Sequence, residues 1–282
     1  MEVISEKHCV IGEGPIWNQF ERKLYFVDVF ANEMCILDPL TKEQTVQKFD
    51  FGVSALGFSK KGETLICCPD GVFYLLQNGE RIPITAPGEA MPLYCNDAKV
   101  GPDGRFYVGT QSKKRLGLGE IDDGKLYSID KDGHVRILLD GLCLSNGFEW
   151  SIDEKLFYHT DSATGIIREY YFDIESGSIT PTKRALAVPG VDGFTIGQDG
   201  CLYVSCWGQG HIAVVNTKSF DICRYIPVPT SIPASCCFMG DKLDMLAVVT
   251  ASYKTDLLID CLAGFTFVHE AGTVGRLPYL FG

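Results

Sequence analysis

The chain has 282 residues, of which 46% are hydrophobic, and its 25 basic residues are outnumbered by 36 acidic ones, giving a formal net charge of −11. This balance argues against binding to nucleic acid or to an anionic membrane, because both need a basic surface. No run approaches about 18 consecutive apolar residues, so the sequence predicts no membrane-spanning segment.

The first residues, MEVISEKHCVIGEGP, lack the basic start and apolar run of a secretory signal peptide, so we expect a cytoplasmic protein. The twelve cysteines fit a reducing compartment, since they are scattered, include the adjacent pairs Cys67-Cys68 and Cys236-Cys237, and follow no disulfide-framework spacing. Most of them are expected to be small buried hydrophobes.

One phrase recurs six times along the chain: a turn followed by a short run of apolar and β-branched residues. In chain order the copies are ERKLYFVDV, KGETLICCP, DGRFYVGTQ, DEKLFYHTD, DGCLYVSCW and KLDMLAVVT. The first apolar residues of these runs are Leu24, Leu65, Phe106, Leu156, Leu202 and Leu246. Successive copies are therefore 41 to 50 residues apart. A β-rich unit with a period in the forties is typical of β-propeller blades.

Each of these runs lies between two further apolar runs, as in NDAKVG before and GKLYSIDKDG after the third copy. The turn residues between runs are typical of hairpins. The sequence therefore predicts an all-β chain: a single six-bladed β-propeller domain over residues 1–282, with about four antiparallel strands per blade. An irregular β-sandwich is the weaker alternative, because sandwiches rarely keep such a period through a whole chain.

Residues 2–10, EVISEKHCV, precede the first inner strand and could supply the outer strand of the last blade. There they would lie beside the C-terminal run FTFVHEAG. Joining the two ends of the chain in this way removes an exposed sheet edge. We therefore expect an N-terminal strand to close the last blade.

The innermost strand of each propeller blade lines the central channel, so equivalent positions of different blades converge on one ring. Counting back ten residues from each anchor, or eleven in the first unit, gives Glu13, Ala55, Asn96, Asn146, Asp192 and Cys236. Buried carboxylates are costly unless they are paired or bound to a cation, and no Lys or Arg occupies an equivalent position. Four oxygen-bearing residues on one ring favour a site for a hard divalent cation. Alternatively, these residues begin strands and form turns, as the dipeptides Asn146-Gly147 and Asp192-Gly193 would allow.

Motifs along nearly the whole chain carry a family resemblance. In order they are GEGPIW, LYFVD, NDAKVGPDGRFYVGT, GKLYSID, SNGFEWSIDEKLFYHTDS, VDGFTIGQDGCLYVSCW, SCCF and the terminal GTVGRLPY. With these motifs the chain resembles the senescence marker protein (regucalcin)/gluconolactonase/luciferin-regenerating enzyme family of six-bladed propellers.

The resemblance implies a cation site and a set of roles for its residues. It implies one divalent metal cation (Ca, Zn, Mg, Mn or Fe) bound by Glu13, Asn146 and Asp192, with Asp192 also acting as the acid/base residue. Asn96 would contact substrate or a metal-bound water. Asp192 would take a proton from the attacking water while the cation polarises the carbonyl.

The sequence departs from the family at two places that concern the substrate. Tyr94 stands where several sugar-lactonase members have an Arg, and it would contact substrate from the rim or be an ordinary rim aromatic. The run Gln111-Ser112-Lys113-Lys114-Arg115 stands where other members have an acidic residue. Both departures weaken the case for the best-known polyhydroxylated aldonolactone.

We expect from the sequence a metal-dependent hydrolase that opens a lactone, with a sugar (aldono) lactone of the gluconolactone type as the first candidate. The alternatives are a non-enzymatic calcium-binding or regulatory propeller, an esterase for aryl or organophosphate esters, and a binding scaffold without chemistry. His159 is expected to be a buried, hydrogen-bonded histidine rather than a channel residue, and Trp207 lies either at the active-site face or in the core. The lactone and the oligomeric state stay open.

Overall fold

The structure, a computed structural model, describes residues 1–85, 94–111 and 122–282. Within these ranges every regular element is a β-strand. The strands are β1 (Glu2–Val3), β2 (Gly12–Asn18), β3 (Lys23–Asp28), β4 (Glu33–Leu37), β5 (Gln44–Lys48), β6 (Ala55–Phe58), β7 (Thr64–Cys68), β8 (Gly71–Leu75), β9 (Arg81–Pro83), β10 (Tyr94–Val100), β11 (Phe106–Gln111), β12 (Gly124–Ile129), β13 (Val135–Leu142), β14 (Ser145–Trp150), β15 (Leu156–Asp161), β16 (Ile166–Asp173), β17 (Ser178–Ala187), β18 (Val191–Ile196), β19 (Cys201–Cys206), β20 (His211–Asn216), β21 (Asp221–Pro227), β22 (Pro233–Met239), β23 (Met245–Thr250) and β24 (Phe267–Glu270).

The strands form six four-stranded antiparallel sheets, which are the blades of a six-bladed β-propeller. Blades 1 to 5 are the consecutive groups β2–β5, β6–β9, β10–β13, β14–β17 and β18–β21, and blade 6 has the order β22-β23-β24-β1. This confirms the predicted fold class and strand count. A membrane-spanning helix is absent from the described ranges.

Blade 6 is completed by the N-terminal strand, as the sequence predicts. In β1, Glu2 pairs with Val268 and Val3 pairs with Phe267 of β24. The pairing continues beyond the strand, since Ile4 N donates to Thr266 O at 2.9 Å. The two ends of the chain are thus locked into one sheet, and β24 is not left as an open edge.

The recurring phrase of the sequence is the second strand of each blade. Five of the six residues of β11 and all six residues of β19 are buried. The outer strand β17, by contrast, alternates between half-buried and exposed residues. The neighbouring blades cover both faces of a second strand, so its sequence is a continuous apolar run. An outer strand faces solvent on one side, so its residues alternate. This difference in burial explains why the repeat is visible in the sequence.

The innermost strands are irregular at one end of the channel. The pairing register shifts in blades 1, 3, 4, 5 and 6 between Glu13 and Ile16, Cys95 and Ala98, Asn146 and Phe148, Val191 and Phe194, and Pro233 and Ser235. Such β-bulges leave residues unpaired and turn their side chains in new directions. The bulges therefore lie where the sequence places its oxygen-bearing ring.

A buried ion network spans the channel away from these bulges. The ammonium of Lys99 lies 3.0 Å from Glu149 Oε2 and donates to Phe194 O at 2.9 Å, and Arg276 contacts Glu149 Oε1 at 2.5 Å. Burial alone would raise the pKa of Glu149, but the charges of Lys99 and Arg276 hold it below its ordinary value. Arg276 belongs to the C-terminal segment, so this network ties that segment to the inner strands of blades 3 and 4.

Replacing Glu149 with Gln removes the counter-charge of two half-buried cations, Lys99 and Arg276, so we expect the free energy of unfolding at pH 7 to fall by about 2 kcal/mol. Because the pKa of Glu149 is lowered in the folded protein, its contribution to stability is fully present above about pH 4.3, the ordinary pKa in the unfolded chain. The contribution is lost as the pH falls below that value. Urea unfolding at pH 7, 5 and 3.5 should therefore show that the difference in free energy of unfolding between wild type and variant becomes smaller as the pH falls.

The exposed Glu43 provides a matched control, because Glu43→Gln should change stability by less than about 0.5 kcal/mol. A gap that widens as the pH falls would contradict this account of Glu149.

Candidate metal and substrate site

One mouth of the channel opens into a cavity of about 680 Å³. All five residues that the sequence singles out for metal or substrate line it: Glu13, Tyr94, Asn96, Asn146 and Asp192. They come from blades 1, 3, 4 and 5, so residues up to about 180 positions apart in the chain meet in one place. The residues thus lie together at the channel, as their equivalent positions on the inner strands predict.

The two glycines that follow Asn146 and Asp192 serve close packing between blades. A Cβ on Gly147 would lie 2.2 Å from Asp192 O, and a Cβ on Gly193 would lie 2.1 Å from Ser235 Oγ. Both dipeptides lie within strands β14 and β18, not at hairpin turns. The alternative interpretation as turn-forming dipeptides is therefore wrong for these two pairs, and the absent side chains let adjacent blades bring their polar residues together.

Asn146 and Asp192 are in direct contact across the boundary between blades 4 and 5. Both residues are only 5% exposed, and Asn146 Nδ2 donates a hydrogen bond to Asp192 Oδ1. This contact fixes one carboxylate oxygen of Asp192. Its Oδ2 and the amide oxygen of Asn146 are the remaining oxygen atoms of the pair.

The surroundings of Glu13 and Asp192 destabilise the ionised form of both carboxyl groups. Burial raises the pKa of each carboxyl well above its ordinary value, the charge of Asp192 raises that of Glu13 further, and Asp97 adds to both. Glu13 keeps part of its surface open to the cavity and accepts a long hydrogen bond, 3.3 Å, from Gly14 N. Among the residues that the structure describes, neither carboxylate has a Lys or Arg within 4 Å.

The donor set fits a divalent cation. Two carboxylates and an amide offer only hard oxygen atoms, and neutralising their charge would remove the repulsion that raises both pKa values. A shared proton would remove the repulsion between the two groups but would leave one negative charge without a positive partner, whereas a divalent cation compensates both charges. The residues present therefore suit a cation of the class that prefers oxygen ligands.

Asn96 is held in place by its neighbours on the cavity wall. Its Nδ2 donates to Ser145 O at 3.1 Å, and Gln111 Nε2 lies 3.5 Å from its Oδ1. Ser145 in turn shares a 2.9 Å hydrogen bond between its Oγ and His159 Nε2. A chain of contacts thus runs from the cavity to His159.

His159 is buried, at 2% exposure, and hydrogen-bonded, as the sequence predicts. Its ring stacks 6.4 Å from that of Phe157 and 6.5 Å from that of Phe148. Burial lowers the pKa of His159 to about 4, so the ring is neutral at physiological pH. His159 supports the cavity wall from behind and does not line the cavity.

Tyr94 begins β10 and pairs with Gln111 at the cavity rim. Burial raises the pKa of its phenol above the ordinary value, so the hydroxyl stays protonated and can donate a hydrogen bond. Trp207 follows β19 directly, is half-buried and also lines the cavity, so it does not belong to the core. The neighbouring basic run is described only at Gln111; residues 112–115 lie outside the described ranges.

Several cavity residues were not found from the sequence. Blade 2 presents Ser54, whereas Ala55, the residue that the spacing selects, pairs with Cys67 inside the core. Phe30 and Tyr253 also line the cavity. Like Trp207, they follow the second strand of a blade, and this shared position in the repeat is the signal that could have revealed them.

A second group of possible metal ligands lies far from the channel, in the exposed turn between β12 and β13. It consists of Asp130, Asp132 and His134. The Asp130 carboxylate accepts hydrogen bonds from Asp132 N at 2.9 Å and His134 N at 3.0 Å. The cluster is thus accounted for by the geometry of the turn.

Comparison with known proteins links the chain to one family. A family model described as "SMP-30/Gluconolactonase/LRE-like region" matches residues 11–252. The YvrE protein of Bacillus subtilis (strain 168), which carries the provisional name sugar lactone lactonase, is 32% identical over 254 residues, covering 88% of this chain and 86% of YvrE. Human regucalcin is 28% identical over 295 residues, covering 100% of this chain and 98% of regucalcin.

Solved structures share the same fold. A crystal structure described as a calcium-binding protein, regucalcin, from Agrobacterium tumefaciens superposes with a TM-score of 0.89. It is 22% identical in sequence, and the match covers 99% of this chain and 96% of that one.

The neutral state of His159 should leave a signature in the pH dependence of stability. Below about pH 6.5 the unfolded chain binds a proton at this histidine while the folded protein does not until about pH 4, so folding is disfavoured as the pH falls. We expect the free energy of unfolding of wild type to fall by about 2 kcal/mol between pH 7 and pH 5 because of this histidine, and we expect that fall to be absent in His159→Asn. Urea unfolding at both pH values measures it.

His134→Asn is the control, since His134 lies on an exposed turn. An equal loss of stability in wild type and His159→Asn would show that His159 is not held neutral by the fold.

Proposed function

The chain belongs to the SMP-30/gluconolactonase/LRE-like family, and from this premise we propose that it is a metal-dependent hydrolase that opens a lactone. The observation that carries the proposal is the pair of carboxylates, Glu13 and Asp192, which face one cavity with raised pKa values and, in the described ranges, have no Lys or Arg within 4 Å. The provisional name of YvrE supports lactone hydrolysis and makes sugar lactones the first class to test.

Glu13, Asn146 and Asp192 would hold one divalent cation through oxygen atoms. Calcium is the first candidate, because the Agrobacterium relative is described as a calcium-binding protein, and Mg, Mn, Zn and Fe are the others. When bound, the cation supplies Lewis-acid polarisation of the lactone carbonyl.

Asp192 would move the protons of the reaction. Its Oδ1, which accepts the Asn146 amide and has a second lone pair, would be the oxygen that holds the cation, and Oδ2 would take a proton from the attacking water. The same atom would return that proton to the alkoxide that leaves when the ring opens. Every proton is then accounted for by one side chain, and the product is the hydroxy acid.

Asn96 and Tyr94 would orient the substrate. The amide of Asn96 is fixed by Ser145 O, so its Oδ1 is held toward the cavity as an acceptor for a hydroxyl of the substrate or for water. The Tyr94 hydroxyl would donate to an oxygen of the lactone, and its ring offers a flat surface at the rim. Both residues come from β10, so they would act on the same side of the substrate.

A cation-binding protein without turnover is the second candidate, and the description of the Agrobacterium relative favours it. It would use the same three ligands. The two functions differ only in whether Asp192 exchanges protons with a bound ester, which kinetic measurements can separate from cation binding.

Cation binding should stabilise the folded protein, because a ligand that binds only the native state adds about 2.7 kcal/mol at a hundredfold excess over its dissociation constant. We expect calcium, added after chelation at about a hundred times the wild-type dissociation constant, to raise the Tm of wild type much more than that of Glu13→Gln, which should need a higher concentration for the same rise. The variant without cation should itself be more stable than wild type without cation, since one of two repelling buried carboxylates is gone. Thermal unfolding followed by circular dichroism measures both effects.

Asp130→Asn, in the exposed turn cluster, should keep the full shift and serves as the control. If calcium raised the Tm of Glu13→Gln but not that of Asp130→Asn, the cation would bind at the exposed turn and not at the channel, which would contradict this proposal.

Asp192→Asn should lower kcat/KM for lactone hydrolysis by at least about 100-fold, the usual contribution of a general base. Glu13→Gln, which removes a ligand but not the base, should recover activity as the cation concentration is raised, whereas Asp192→Asn should not recover at any concentration. Acid release from δ-gluconolactone, followed with a pH indicator, provides the assay. Full activity in Asp192→Asn would remove the acid/base role.

A further inference from the structure

The rim of the cavity is polar on one side. Blades 2, 3 and 4, which are consecutive around the ring, contribute Ser54, Asn96, Gln111 and Ser162 to the wall. Each of these side chains can form hydrogen bonds to a ligand or to water. This side suits the oxygen atoms of a lactone ring.

At the rim of the opposite side, blades 5, 6 and 1 carry three aromatic residues, against one, Tyr94, on the polar side. The two carboxylates of the site lie on the inner strands of blades 1 and 5. Trp207 follows β19, Tyr253 follows β23 and Phe30 follows β3, and all three line the cavity. The rings of Phe30 and Tyr253 meet edge to face with their centroids 5.2 Å apart. Lys254 is the basic residue of this side, and its ammonium lies 5.0 Å from the Tyr253 ring centroid.

Phe30 is 50% exposed although it has an aromatic partner. A large aromatic side chain that remains in water at a cavity wall gains free energy when an apolar group covers it. A hydroxyl placed against the same surface would lose its hydrogen bonds to water and find few replacements. A polyhydroxylated sugar lactone can stack a C–H face on an aromatic ring, but its hydroxyls interrupt that contact, so it covers less of these three rings than a flat apolar group does.

We propose that the preferred substrates are lactones that carry an aromatic or similarly flat apolar substituent, which packs against Phe30, Tyr253 and Trp207. This inference rests on the proposed lactonase function and narrows its substrate class. The ester group lies at the inner strands, beside Asp192, and the substituent lies at the rim, against the residues that follow the second strands of blades 5, 6 and 1. Phe30 and Tyr253 are then specificity-determining residues that take no part in bond making.

The test compares pairs of compounds that differ only in a phenyl group. Hydrolysis of γ-phenyl-γ-butyrolactone is measured against γ-butyrolactone in the cation-loaded protein. Binding of 5-phenyl-2-pyrrolidinone is measured against 2-pyrrolidinone by titration calorimetry, because these lactams have the same shape as the lactones and resist hydrolysis. The lactams therefore report recognition of the substituent whether or not the protein is a lactonase.

We expect wild type to favour the phenyl compound by tenfold or more in kcat/KM and in binding. Phe30→Ala and Tyr253→Ala should each reduce that preference by about three- to tenfold, while changing the values for the unsubstituted compounds by less than twofold. Phe20→Ala is the matched control, since Phe20 is 51% exposed and does not line the cavity. It should leave the preference intact.

The outcomes separate the two proposals. Equal binding of both lactams, or a preference that survives both variants, would overturn the inference even if both lactones are hydrolysed. A preference in lactam binding that depends on Phe30 and Tyr253, without hydrolysis of any lactone, would support the inference about the ligand and overturn the lactonase.

Discussion

The site is governed by the free energy of burying negative charge. Glu13 and Asp192 face one cavity near each other, and both pKa values are raised by burial and by neighbouring carboxylates. Glu149, in the same channel, has a lowered pKa because Lys99 and Arg276 contact it. The fold thus neutralises one buried carboxylate with its own cations, whereas the other two have no Lys or Arg within 4 Å among the described residues, and the proposed cation would supply the missing positive charge.

Much of the fold could be predicted because burial in a propeller repeats with the blades. The second strands are covered on both faces, so phrases such as CLYVSC stand out as apolar runs and mark the period. Counting back from the anchor residues of the repeat identified Glu13, Asn146 and Asp192, since equivalent positions on the inner strands converge on the channel. It selected Ala55 in blade 2 instead of Ser54, because the count from the anchor assumes an inner strand of constant length.

Other parts of the site depend on tertiary contacts that no local pattern encodes. His159 supports Asn96 only through Ser145, a contact between blades that sequence spacing cannot show. Phe30 and Tyr253 are far apart in the chain and meet because blade 6 lies beside blade 1. The repeat therefore positions the proposed cation ligands, whereas the connections after the second strands form the wall that a substrate would contact under the proposed function.

The most direct test of this account is the position of a cation in crystals of the protein soaked with Mn²⁺, whose anomalous scattering identifies it. We predict one strong anomalous peak at the mouth of the channel, in contact with oxygen atoms of Glu13, Asn146 and Asp192. A peak confined to the exposed turn of Asp130, Asp132 and His134, or a channel in which the Asn146 amide still donates to Asp192 with no peak beside it, would contradict the account.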